Sequence, residues 1–275
     1  MFGSLTSEVL YSSFAFIPII IILYYVYRRD KFPEPPRIVF ITFFLGVATI
    51  LPIQIFIPIV EGFGENLHLS GESEHFYISF VRAAFLEETA KWIVLIFYCS
   101  KLSDFNEPMD AIVYGVAVSL GFAAYENYDY VMNSYFEGGV DEASSTAIIR
   151  SMSAVPLHAL AGVFMGFFMR EAIFYRKNNK ISIFLSLLFP ICLHGFYNYI
   201  LFSPSLSVYW IYILLITMLI RVIFIFRKER RVQLSSINEN AHTKYYAILN
   251  SDVYVTIFSA ISLLMILTLI INQFL

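Results

Sequence analysis

Phe85-Leu86-Glu87-Glu88-Thr89-Ala90-Lys91 sets two carboxylates and an ammonium inside an apolar run that extends from Phe76 to Cys99. A helix of roughly 20 residues covers a hydrocarbon core of about 30 Å, so if this run crosses a bilayer its charges lie near the middle. Each charge at that depth costs on the order of 3 kcal/mol, which makes an intramembrane ionisable residue a mark of function by default. Lys91 lies about 40° round the helix from Glu87 and about 60° from Glu88, within reach of either. One ion pair accounts for one carboxylate and leaves the other to act as a general base or acid.

The rest of the chain agrees with a membrane setting. Of its 275 residues, 59% are hydrophobic and 14% charged, with a mean hydropathy of +0.71. A water-soluble domain of this size is excluded, and a polytopic membrane protein is indicated. The net charge of −3 carries no argument for nucleic acid, and no such partner is expected. Cys99 and Cys192 fall within or at the end of apolar runs, which indicates neither a disulfide framework nor a cysteine-based zinc site. The first apolar run, Val9 to Tyr27, lacks a basic leader and a small-residue cleavage site. Arg28, Arg29 and Lys31 follow it, so it reads as a retained span with its N-terminus outside the cytoplasm.

Apolar runs of membrane length predict an all-α bundle of about eight transmembrane helices, near 9–27, 37–60, 76–99, 110–132, 147–170, 181–203, 205–226 and 253–275. Lys and Arg occur in the odd-numbered connections and are missing from the even ones, which puts the odd connections in the cytoplasm and both termini outside. The whole chain, 1–275, reads as one integral membrane domain, with a polar cytoplasmic linker at 228–252 and an extra C-terminal helix at 253–275.

Further polar residues lie in the predicted spans: Glu126 and Asn127 in the fourth, His158 in the fifth, and His194 and Asn198 in the sixth. At the helical rise per residue, Glu87, His158, His194 and Glu126 lie about 17, 16, 13 and 9 Å from the outer boundary, which fits one cavity in the outer half of the bilayer. Ala83, Ala84 and Ala90 beside Glu87, and Ala154, Ala161 and Gly162 beside His158, turn both residues into the bundle, since small residues allow close helix packing in lipid. Arg82 sits at the depth of Glu126 and is its expected partner.

Two mechanisms fit these residues. In one, His158, His194 and Glu126 hold a zinc ion, and Glu87 or Glu88 is the base that acts on its water. In the other no metal is needed: Glu87 activates water, one His assists proton transfer, and His194 with Asn198 stabilises the oxyanion. Both hydrolyse an amide at membrane depth. Midplane Glu and His also occur in ion-coupled transporters, the alternative reading, but those are built from two repeated halves, and the polar residues here are confined to the third to sixth spans.

Glu87-Glu88-x-x-Lys91, Gly121-Phe122-Ala123-x-x-Glu126-Asn127, His158-x-x-x-Gly162 and His194-Gly195-x-x-Asn198, in this order, resemble the four motifs of the PrsW family of intramembrane proteases. The resemblance covers about residues 28–200, including Arg29-Asp30-x-x-Pro33-Glu34-Pro35 and Asp110-x-x-x-Tyr114-Gly115. The chain is also similar to type II CAAX prenyl proteases, but departs from their pattern in the position of Lys91 and in having Glu126 where they have His. The PrsW resemblance implies a protease of the bacterial plasma membrane that makes the site-1 cleavage in a membrane-anchored anti-sigma factor during envelope stress. It implies Glu87, Glu88, Lys91 and Asn198 as catalytic residues, and Glu126, His158 and His194 as zinc ligands or, without metal, as catalytic residues too.

Overall fold

The structure, a computed structural model, describes residues 2–175 and 179–236, and the side chains of 15–175 and 180–234. The described residues are all-α, with no strand. Helices α1 (Phe2–Arg29), α2 (Pro36–Ala48) and α3 (Ile50–Asn66) are followed by α4 (Glu72–Phe76), which passes through a π-helical stretch, Tyr77–Phe85, into α5 (Leu86–Phe97). Then come α6 (Pro108–Met152), α7 (Ala154–Ile173), α8 (Asn179–Phe202) and α9 (Tyr209–Ser236).

Local chemistry sets several of these boundaries. Pro35, extended at φ −55° and ψ 123°, precedes Pro36 at the first turn of α2, where its missing N–H costs nothing. Glu107 caps α6 reciprocally with Asp110, and Pro108 occupies the first turn. Gly139, at φ 74° and ψ −153°, interrupts α6. The two arms run back along each other: the Ser134 and Thr146 hydroxyls meet at 2.8 Å, and Arg150 Nε donates to Asn127 Oδ1 at 2.8 Å.

Four helical tracts among the described residues are long and apolar enough to cross a membrane: Pro36–Asn66, Pro108–Ile173, Lys180–Phe202 and Tyr209–Leu234. The chain is a multi-pass membrane protein. Pro108–Ile173 contains two of the spans expected from sequence, because it doubles back at Gly139. In α5, Glu87, Glu88 and Lys91 break the apolar run.

The most apolar stretch of Pro108–Ile173 is 89% buried, against 28% for Pro36–Asn66 and 33% for Tyr209–Leu234. Helices α6 and α7 therefore form the centre, and α2, α3 and α9 turn large apolar side chains such as Phe40, Ile55 and Ile216 outward to lipid. Close packing at the centre depends on small residues. A Cβ on Gly121 would overlap the Phe43 carbonyl of α2, so α2 lies directly against the α6 backbone.

One expectation changes in part. The linker placed at 228–252 begins as helix, because α9 continues to Ser236. Its polar residues find buried partners there: Glu229 pairs with the fully buried Arg170 of α7, and Gln233 donates to Asp30 Oδ1 at 2.7 Å. The remainder of that linker and the helix expected at 253–275 lie outside the described residues.

Gly121→Ala is expected to lower stability by about 1–3 kcal/mol through overpacking. Gly62→Ala, where a Cβ meets nothing within 4 Å, is expected to lose none. Thermal unfolding of both variants in detergent makes the comparison, and equal behaviour would contradict the packing described.

Candidate active site

The π-helical stretch immediately precedes Glu87 and Glu88. Such wide turns recur at functional sites, and they change the angular phase of the residues that follow. Phe80, inside it, stacks on Phe76 at 4.5 Å and meets Phe196 edge-on at 5.0 Å. Its ring lies over Gly195, where any Cβ would collide with it. The glycine after His194 thus lets α8 approach the segment that carries the two acids.

At the centre, Lys91 and Glu88 are both fully buried. Lys91 Nζ donates to Glu88 Oε1 at 2.8 Å and to His158 Nδ1 at 3.1 Å, and lies 3.7 Å from Glu87 Oε2. The ammonium also sits over the Phe122 ring, 4.1 Å from its centroid. His194 Nδ1 donates to Glu88 Oε1 at 2.8 Å and lies 3.8 Å from Glu87 Oε2. The His158 and His194 rings are perpendicular, with centroids 5.1 Å apart.

Glu87 differs from Glu88 in position. Its side chain is 13% exposed while that of Glu88 is fully buried, and Glu87 Oε2 has no hydrogen-bond partner. Glu88 is held by Lys91 and His194 at hydrogen-bond distance, whereas Glu87 approaches both only at 3.7–3.8 Å and is partly exposed.

Behind His158 lies Glu126. His158 Nε2 donates to Glu126 Oε2 at 2.8 Å, so its Nδ1 is left to accept from Lys91. Arg150 Nη2 donates to the same Glu126 oxygen at 2.8 Å, and its guanidinium stacks 4.0 Å over Tyr130. Asn127 links this group to α1, donating to the Ala15 carbonyl at 2.7 Å. Arg150 replaces the expected partner of Glu126; Arg82 pairs instead with Glu61 at 2.5 Å. The bend at Gly139 brings Arg150 back beside Glu126, and spacing along one helix does not reveal it.

Asn198 lies one turn along α8 from His194 and is buried. The hydrogen bonds that join Glu88, Lys91, His158, His194 and Glu126 do not include it. Asn127, which the sequence places only in a motif, and Arg150, to which the sequence assigns no part in the site, both join the group around Glu126.

Ligand atoms of Glu87, Glu88, His158 and His194 lie within 4.8 Å of one another. Two imidazoles and two carboxylates, with Glu87 Oε2 and Glu88 Oε2 lacking partners, fit a zinc ion. Glu126 is not in this group: it supports His158 from behind, where the sequence reading has it as a direct ligand. Lys91 is the competing cation, since it already touches Glu88 and His158.

Residues 34–225 match the description of the PrsW family intramembrane metalloproteases. The chain is 37% identical over 218 residues to Protease PrsW of Bacillus subtilis (strain 168), covering 78% of this chain and 92% of the relative. It is 37% identical over 189 residues to Protease PrsW of Geobacillus kaustophilus (strain HTA426), covering 68% and 78%. Against Protease PrsW of Clostridioides difficile (strain 630) the identity is 33% over 213 residues, covering 75% and 84%. No solved structure matches the chain.

Lys91→Met removes one partner of a buried pair and is expected to cost about 3–5 kcal/mol by leaving Glu88 uncompensated. Adding Glu88→Gln in the same protein is expected to recover much of that loss. Unfolding in mixed micelles measures both, and a double variant no more stable than the single one would refute the pairing.

Proposed function

The chain belongs to the PrsW family of intramembrane proteases and is a peptidase, and from that premise we propose that Glu87 is the base that activates the hydrolytic water. The observation that carries this reading is that Glu87 is partly exposed beside a fully buried Glu88 and makes no hydrogen bond through Oε2, which lies 3.7 Å from Lys91 and 3.8 Å from His194. Glu88 and Lys91 hold the charge balance behind it, and His194, fastened to Glu88 through Nδ1, keeps Nε2 for the substrate side.

Hydrolysis then proceeds in two transfers. Glu87 takes a proton from water as the water oxygen bonds to the carbonyl carbon, and the carbonyl electron pair moves onto oxygen. Asn198 and His194 are the donors for that oxyanion. The oxyanion pair re-forms the carbonyl as the C–N bond breaks and the proton on Glu87 passes to the amide nitrogen, which leaves a carboxylic acid, ionised as its proton passes to water, and an amine. Glu126, fixed by Arg150, holds the His158 ring in the tautomer that accepts from Lys91. A zinc ion, if held by Glu88, His158 and His194, would supply Lewis acidity to the same carbonyl and water and leave Glu87 as the base.

The substrate proposed is a single-span anti-sigma factor, cut in the site-1 manner in the outer half of the bacterial plasma membrane. The four sequence motifs support that substrate class, and the bacterial sources of the relatives support the location. The alternation of Lys and Arg between connections supports eight spans with both termini outside.

Purified protein in lipid nanodiscs, given a single-span substrate, tests the mechanism. Glu87→Gln is expected to lower the cleavage rate by about 10²–10⁴-fold, the usual contribution of a general base. Loss of wild-type activity on chelation with recovery on adding zinc selects the metal form, and activity insensitive to chelators selects the metal-free form. An undiminished rate in Glu87→Gln would overturn the assignment of the base.

A further inference from the structure

A second group of acids lies at the far end of α6. Asp110 and Glu126 are 16 residues apart on that helix, about 24 Å at the helical rise. Asp30, Glu107 and Asp110 each bring a carboxylate oxygen to within 4.8 Å of the other two. Glu34 faces Asp110 from the connection after α1 and takes a hydrogen bond from the Tyr114 hydroxyl. Asp110 and Asp30 are 0% and 7% exposed.

The hydrogen bonds of this group come from neutral donors. Asp110 Oδ2 accepts from the Asn106 and Glu107 N–H groups, each at 2.7 Å. Asp30 Oδ1 accepts from Phe32 N at 2.9 Å and from Gln233 Nε2 at 2.7 Å, and Gln233 Nε2 also donates to Glu107 Oε1 at 2.6 Å. Asp110 Oδ1 and Asp30 Oδ2 are left buried with no partner. None of the ion pairs among the described residues reaches the group.

Capping explains part of this arrangement, since Glu107 and Asp110 close the start of α6. It does not explain Asp30 and Glu34, which add negative charge where two carboxylates already meet. A buried carboxylate oxygen without a partner costs about 1–3 kcal/mol or more, and here there are two.

We propose that Asp30, Glu107 and Asp110, with Glu34 beside them, form a binding site for a hard divalent cation. Donors that are all oxygen select the calcium, magnesium and manganese class over zinc or copper. Ligands on opposite sides of a calcium ion stand roughly 4.6–5.2 Å apart, from its bond lengths, so the observed spread is compatible with one ion. The cation ties together the end of α1, the start of α6 and, through Gln233, the last turns of α9. It is separate from the Glu87 site and plays a structural part.

The test uses the full-length protein in detergent, stripped with EDTA and titrated separately with calcium, magnesium and manganese chloride, reading the unfolding temperature. At least one cation is expected to raise it saturably by several degrees, because a ligand that binds only the folded state stabilises it. That rise is expected to vanish in Asp110→Asn and Glu107→Gln and to persist in Glu87→Gln. If Asp110→Asn does not fold, Glu107→Gln decides. No rise with any of the three ions in the wild type, or the full rise in Glu107→Gln, overturns the proposal.

Discussion

The Lys91–Glu88 pair is the interaction on which the arrangement depends. Both side chains are fully buried in the helix bundle, where neither ion is stable alone. Lys91 donates to both Glu88 and His158, and Glu88 accepts from both Lys91 and His194. Three helices, α5, α7 and α8, are therefore joined by a single chain of charge-assisted hydrogen bonds. The pair keeps Glu88 in place and leaves Glu87, one residue away, with no hydrogen bond at Oε2, 3.7 Å from the same ammonium. A structural ion pair and the carboxylate proposed as the base occupy one turn because only one of the two acids is fully enclosed.

Charge balance continues outward from that pair. His158 reaches Glu126, Glu126 reaches Arg150, and Arg150 reaches Asn127, which ties to the backbone of α1. The bend at Gly139 is what makes this possible, since it returns the second arm of α6 to the level of the first. The opposite end of the same helix is built differently. There Asp30, Glu34, Glu107 and Asp110 gather with neutral donors, and the surplus is negative. One long helix thus carries a compensated cluster at one end and an uncompensated one at the other.

Much of this was legible in the sequence because the hydrophobic effect writes membrane segments as long apolar runs. The all-α class, the membrane setting and the four motifs that mark the family all follow from runs and spacings in one dimension. So does the convergence of Glu87, Glu88, Lys91, His158 and His194, since residues at one depth on adjacent helices must meet if they face inward. Depth, however, does not choose partners. Arg82 and Arg150 both lie near the level of Glu126, and only the return of the chain at Gly139 awards it to Arg150.

The tertiary structure alone decided three further points. The π-helical stretch before Glu87 leaves no periodic trace, because it changes the phase of a helix whose composition stays apolar. The helical start of the linker at 228–236 is stabilised by Arg170 and Asp30, partners 59 and 203 residues away along the chain, which a polar local composition conceals. The place of Glu126 behind His158, outside the group of Glu87, Glu88, His158 and His194, rests on an arginine and an imidazole that share one of its oxygens. Sequence determined which groups are buried together; three-dimensional contact determined which of them satisfy one another, because hydrogen bonds and ion pairs form between particular atoms across distances that spacing along the chain does not encode.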